Sequence, residues 1–106
     1  MPEPPYFAVV FTSLRRDLPN DGYGEAAARM EELAREQSGF LGIESARGAD
    51  GLGITISYWA TLADVAAWGR NAEHLLVQKM GRDEWYKWYA LRVCRVERAT
   101  EFTRSG

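Results

Sequence analysis

Cysteine, histidine and a surplus of positive charge are scarce in this sequence, and each scarcity closes off a class of function. The single cysteine, Cys94, rules out an internal disulfide and with it a stapled secreted scaffold. One histidine, His74, and no Cys or His pairs at ligand spacing leave no zinc centre indicated. A Gly-x-Gly-x-x-Gly run and a phosphate loop of glycine and lysine are both missing, so a nucleotide loop is not indicated either. Thirteen Lys and Arg against fifteen Asp and Glu give a formal charge of -2, which provides no footprint for a phosphate backbone. No apolar run approaches the roughly 20 residues of a membrane span, and the Met1-Pro2-Glu3-Pro4-Pro5 start lacks the regions of a signal peptide. The expectation is a cytoplasmic, soluble protein with no cofactor, no metal, no nucleic acid and no membrane among its partners.

What is present is a compact 106-residue chain, 46% hydrophobic and 26% charged, with four Trp, five Tyr and four Phe. That composition fits one ordinary domain, expected over residues 6–102 behind a disordered N-terminal tail, 1–5. Residues 6 to 14 are nearly all apolar and rich in strand formers, as in a strand covered on both faces. Pro19-Asn20-Asp21-Gly22 ends it in a turn from which Asp21 can cap a helix. Tyr23, Ala27, Met30 and Ala34 recur at helical spacing until Ser38-Gly39 stops the helix. Phe40 to Arg47 and Leu52 to Trp59 flank the turn cluster Gly48-Ala49-Asp50-Gly51 and predict an antiparallel hairpin. Thr61 with Asp64 caps a second helix whose stripe runs through Leu62, Val65, Trp68, Ala72, Leu75 and Leu76, with Gly69 as a loosening point. Arg82 to Tyr89 reads as further helical material, and a last strand follows from about Ala90 to Thr100.

The order βαββαβ predicts a ferredoxin-like α+β sandwich, an antiparallel sheet with both helices on one face. The other face then needs a cover. The first strand is apolar at both parities (Phe7, Val9, Phe11 and Ala8, Val10) and no further helix is available, so a second copy of the chain is expected as a homodimer partner.

Several residues are candidates for chemistry, each against a plainer reading as structure. His74 titrates near neutral pH and suits a proton acceptor. In a helix unbroken from Leu62 it points about 180° from the stripe and sits on the surface, whereas a break at Gly69 re-aims it. Glu44 falls on the face of Thr55 and Ser57 for a two-residue hairpin turn. Arg92 meets that carboxylate if the register allows, as a polar ligand site or as an ion pair that fixes register. Trp59, Trp68, Trp85, Tyr86, Trp88 and Tyr89 fill a core or wall a pocket for a planar aromatic. Cys94, between Val93 and Arg95 in a strand, reads as a buried, inert thiol rather than a nucleophile.

The run Gly39-Phe40-Leu41-Gly42-Ile43-Glu44-Ser45, the strand Gly53-Ile54-Thr55-Ile56-Ser57-Tyr58-Trp59, and Trp68 followed by Ala72-Glu73-His74 resemble the antibiotic biosynthesis monooxygenase domain family. The pattern Gln78, Gly81, Trp85-Tyr86 and Arg92 to Arg98 resembles an uncharacterised bacterial branch of it, so that the likeness covers about Tyr6 to Phe102. The resemblance implies a dimeric α+β barrel in which two sheets face each other. It also implies a cofactor-free monooxygenase acting on a phenol or quinol, with His74 and Arg92 as catalytic residues and Trp59, Trp68, Tyr86 and Glu44 binding substrate. The alternative is a non-catalytic dimer that binds a small aromatic ligand or serves a stress role. Haem degradation ranks behind both, because relatives with that activity combine an Asn on the first strand, a Trp in the second helix and a His about three turns later. Here the first strand has no Asn, and His74 follows Trp68 by only six residues.

Overall fold

A computed structural model describes residues 2–16, 22–78 and 85–105, with the side chains of 73–78 outside the description. Its elements are β1 (Tyr6–Arg15), α1 (Tyr23–Arg35), β2 (Phe40–Arg47), β3 (Leu52–Trp59), α2 (Leu62–Gln78) and β4 (Tyr86–Val96). The strands form one antiparallel sheet in the order β2-β3-β1-β4, the α+β ferredoxin-like arrangement expected from the sequence. Both helices lie on one face. Among the described residues no helix is long and apolar enough to cross a membrane.

The helices begin and end on local chemistry. Gly22, at φ 80°, precedes α1 without a side-chain cap, and the expected cap Asp21 lies outside the described residues. The chain leaves α1 through Glu36 and reaches Gly39 at φ 81°, the left-handed region that glycine enters without a Cβ clash. Thr61 Oγ1 accepts the Asp64 amide at 3.1 Å and donates to the Asp64 carboxylate at 2.8 Å, so the expected pair does open α2. Gly69 does not break that helix, which runs continuously from Leu62 to Gln78.

The hairpin departs from expectation by one residue, with large consequences. Gly48 N–H donates to Leu52 O at 2.9 Å and Gly51 N–H to Gly48 O at 3.0 Å, which leaves Ala49, Asp50 and Gly51 as a three-residue loop. Gly51 takes φ 91°, the left-handed residue that such a loop requires. An odd loop shifts the pairing by one relative to a two-residue turn, and a one-residue shift moves side chains to the other face. Glu44 therefore pairs with Ile56, while Ile43 and Ser45 pair with Ser57 and Thr55. Glu44 stands on the face opposite Thr55 and Ser57.

The last strand also starts early. Tyr86, Trp88 and Tyr89 pair with Arg15, Leu14 and Ser13 of β1, with a register shift at Leu14/Arg15, and the ladder closes at Val96. The helical reading of 82–89 fails for Tyr86 to Tyr89 because the long β1 edge accepts these aromatic, strand-forming residues into its ladder. Positions 82–84 lie outside the described residues. Residues 97–105 continue beyond Val96 without strand or helix, so the expected extension to Thr100 is also absent.

Phe7, Val9, Phe11, Ser13, Thr55, Ser57 and Trp59 share the helix-covered face. There Val9 and Trp59 pack with Ala34 of α1 and Val65 and Trp68 of α2. Tyr6, Ala8, Val10, Ile54, Ile56, Tyr58, Glu44 and Arg92 share the other face, on which no helix packs among the described residues.

Candidate functional site

The core closes one end of a cavity. Trp59, fully buried, stacks on Trp68 at 5.6 Å between ring centroids and 24° between planes, with Phe40 edge-on to Trp59 at 5.6 Å. Trp59 is fixed in rotation because its indole N–H donates to Ser57 Oγ at 2.9 Å. From this aromatic wall a cavity of about 500 Å³ extends between the sheet and the helices, within the size range of sites for drug-sized ligands. Val9, Phe11, Ile43 and Leu91 of the sheet, Met30 of α1 and Trp68 of α2 give it an apolar body.

Its far end is polar. Arg47, the last residue of β2, faces Gly53 across the hairpin, and a Cβ at Gly53 would lie 2.6 Å from the Arg47 guanidinium carbon. The missing side chain lets the guanidinium lie against β3. From there Arg47 Nη2 donates to Ser13 Oγ at 2.8 Å and to the Tyr23 hydroxyl at 3.1 Å, and Nη1 donates to the Ser13 carbonyl at 3.3 Å and to the Gly51 carbonyl. Tyr23 has the Arg15 guanidinium over its ring, 3.8 Å from the centroid, and meets Trp85 and Tyr86 edge-on at 5.8 and 5.7 Å. Burial first, then a hydrogen bond with Tyr23, pushes the Tyr86 hydroxyl far above the usual tyrosine range, with Arg47 and Arg15 opposing more weakly. Tyr86 therefore stays a neutral donor. Ser45, Thr55 and Ser57 add hydroxyl groups along the same wall.

Of the residues singled out in the sequence, Trp68 and Tyr86 line the cavity, and Trp59 stands behind Trp68 as its stacking partner. Glu44 and Arg92 do not reach it. Arg92 pairs with Val10 and Glu44 with Ile56, which puts both on the face away from the helices and three strands apart, about 14 Å. They cannot meet within one chain. Glu44 instead accepts the Tyr58 hydroxyl at 3.3 Å, and burial followed by that carboxylate raises the Tyr58 pKa. The His74 side chain lies outside the described residues. Arg47, Tyr23 and Ser13 were missed. The signal available was Asp50-Gly51, whose glycine suits the left-handed position of a three-residue loop and would have set Arg47 opposite Gly53. Cys94, expected to be buried, is exposed on the edge strand β4 opposite Ala8, and among the described residues no group of acidic, His or Cys side chains is placed to hold a metal.

No family profile matches the chain. The uncharacterised protein YqjZ of Bacillus subtilis is 50% identical over 102 residues, covering 95% of this chain and 88% of that protein. SnoaB, a cofactor-independent oxygenase from Streptomyces nogalater, superposes with a TM-score of 0.72 at 11% identity, over 91% of this chain and 97% of its own. A candidate antibiotic biosynthesis monooxygenase from Nitrosomonas europaea gives 0.72 at 13% identity, over 91% and 94%. A conserved protein from Methanosarcina mazei gives 0.71 at 8%, over 86% and 92%. The chain thus belongs to one family with the Bacillus YqjZ protein, and it has the fold of the antibiotic biosynthesis monooxygenases.

Proposed function

We propose that the chain is a cofactor-independent monooxygenase of a small electron-rich aromatic, a phenol or quinol, and that it works as a homodimer. The observation that carries this reading is the cavity itself, apolar and aromatic in its body with a fixed cation at one end. Oxygenation of such a substrate needs no external reductant. The bound phenolate gives an electron to dioxygen, the radical pair joins at a ring carbon that bears hydrogen, and the hydroperoxide loses water to leave a quinone. One oxygen atom enters the product and the other leaves as water, with all four electrons drawn from the substrate.

The protein's part is to hold the ring, favour the phenolate and keep water out. Trp68 and Tyr86 supply walls, and Arg47, in place of Arg92, is the cation at the cavity's polar end. Proton removal is assigned to His74 on its titration range alone. Oxygen consumption on hydroxynaphthacene and quinol substrates is the test. Turnover that falls about 10²- to 10⁴-fold in His74→Ala supports the reading. If no electron-rich phenol is turned over while aromatic ligands still quench tryptophan fluorescence, the protein is a binding module. One feature favours that second reading: Glu31, the carboxylate lining the cavity among the described residues, is already held by Arg35 at 2.7 Å.

The dimer rests on the helix-free face. Leu52, Ile54 and Trp88 are exposed there, and Glu44, Ile56, Val10 and Arg92 lie in one cross-strand row with opposite charges at its ends. A two-fold axis along the strands through the middle of that row sets Glu44 of each copy against Arg92 of the other. Light scattering should give about twice the chain mass of 12.0 kDa.

A further inference from the structure

We infer that the Arg47 end of the cavity is an anion subsite, and that the ligand is a planar aromatic carrying an acidic group, a carboxylate, at the edge opposite the ring that meets Trp68. The inference rests on the cavity being a ligand site, as proposed above, and adds the chemistry that orients the ligand in it.

Four observations lead there. Arg47 is held by neutral acceptors only, two carbonyl oxygens and two hydroxyls, so its fork is fixed in place while its charge is not cancelled. Among the described residues no carboxylate pairs with it. Among the described residues the neighbouring acids are committed elsewhere: Glu31 to Arg35 at 2.7 Å, and Asp50 to the Leu52 amide at 3.0 Å. Tyr86, edge-on to Tyr23, presents a protonated hydroxyl rather than a competing negative charge. Four of its five N–H groups are bonded to those acceptors, one of them the hydroxyl of the fully buried Ser13, so the guanidinium is already oriented and offers a carboxylate oxygen its uncancelled charge and its remaining Nε–H.

Gly53 is part of the same device. Its backbone is not in the left-handed region, and an added methyl there would occupy the space in which the guanidinium rests. Ser45 and Thr55 extend the hydroxyl wall toward the ring, so an acid group at Arg47 and a ring at Trp68 can be held together.

Anthracene-2-carboxylate and its neutral primary amide, titrated by tryptophan fluorescence at neutral pH, decide the matter. The acid should bind about tenfold or more tightly than the amide in the wild-type protein, as expected for hydrogen bonds to a charged group. Arg47→Met should abolish that preference. Gly53→Ala, which keeps the charge but displaces it, should reduce the preference as well, and it serves if Arg47→Met fails to fold by circular dichroism. Equal binding of acid and amide by the wild type, or an undiminished preference in both variants, overturns the subsite while leaving the cavity as a ligand site. If neither probe binds, the subsite and the cavity reading fall together. A strong preference for the acid without oxygen consumption on any phenol sustains the subsite and removes the oxygenase.

Discussion

The two faces of this sheet are made from alternate residues of the same four strands, and they handle polar groups in opposite ways. On the helix-covered face Ser57 is bonded to Trp59 and Ser13 to Arg47, and no buried polar side-chain atom among the described residues lacks a partner. The helix-free face places Glu44 and Arg92 at its edges with Val10 and Ile56 between them. A face packed by its own helices must satisfy its polar atoms internally, because a buried unpaired group costs about 1–3 kcal/mol. The other face can leave charges open for a second molecule to meet. Packing against the helices and open charge are thus divided between alternate residues of the same strands.

The sharpest way to test that separation is to cut the wall of the covered face. Trp59→Ala should destabilise the chain by about 3–5 kcal/mol in denaturant unfolding, since it empties a fully buried site and strands Ser57 Oγ. Trp88→Ala on the other face should cost far less. If the two losses are equal, the helix-covered face is not where stability is concentrated.

Next in size is assembly. Val10→Asp puts a charge at the centre of the helix-free row and should give a species near 12.0 kDa in light scattering. Arg92→Glu should weaken the dimer about tenfold, and combining it with Glu44→Arg should restore it. Failure of the double exchange to rescue would break the cross-copy pairing while leaving the dimer open to another geometry.

A smaller effect separates the tyrosines on the two faces. Tyr86 binds its proton more tightly folded than unfolded, so its contribution is complete below the ordinary tyrosine pKa near 10 and declines as pH rises past it. Stability should therefore fall above pH 10 by up to about 1.4 kcal/mol per pH unit from this group, and Tyr86→Phe should flatten that limb. Tyr58, raised in the same direction by burial and Glu44, should yield a weaker dependence that Glu44→Gln reduces. At the bottom of the scale, Arg29→Ala, which removes an exposed pair with Glu32 at 3.1 Å, should change stability by about 0.3 kcal/mol.

Much of the architecture was legible because it is local. Periodicity and turn residues place β1, the hairpin strands and both helices, with hairpin bounds that match residue for residue. Thr61 and Asp64 announce the start of α2 through a contact spanning three residues. Trp68 was readable as a pocket wall since its helical stripe faces the sheet whatever the strand register. Tyr86 was readable as an aromatic of the site but not as a strand residue, because its partner Arg15 lies 71 positions earlier in the chain.

The polar end of the cavity belongs to the tertiary structure. Arg47 reaches Ser13 across 34 positions and Tyr23 across 24, lying in the space that Gly53 opposite leaves open. The face on which Glu44 stands was decided by one residue in the hairpin loop, since side chains alternate with a period of two and an odd loop reverses them all. Sequence periodicity records which residues prefer a common face. Which face the helices then cover, and which cation lines the cavity beneath them, is settled by strand register and long-range packing, and no local pattern encodes either.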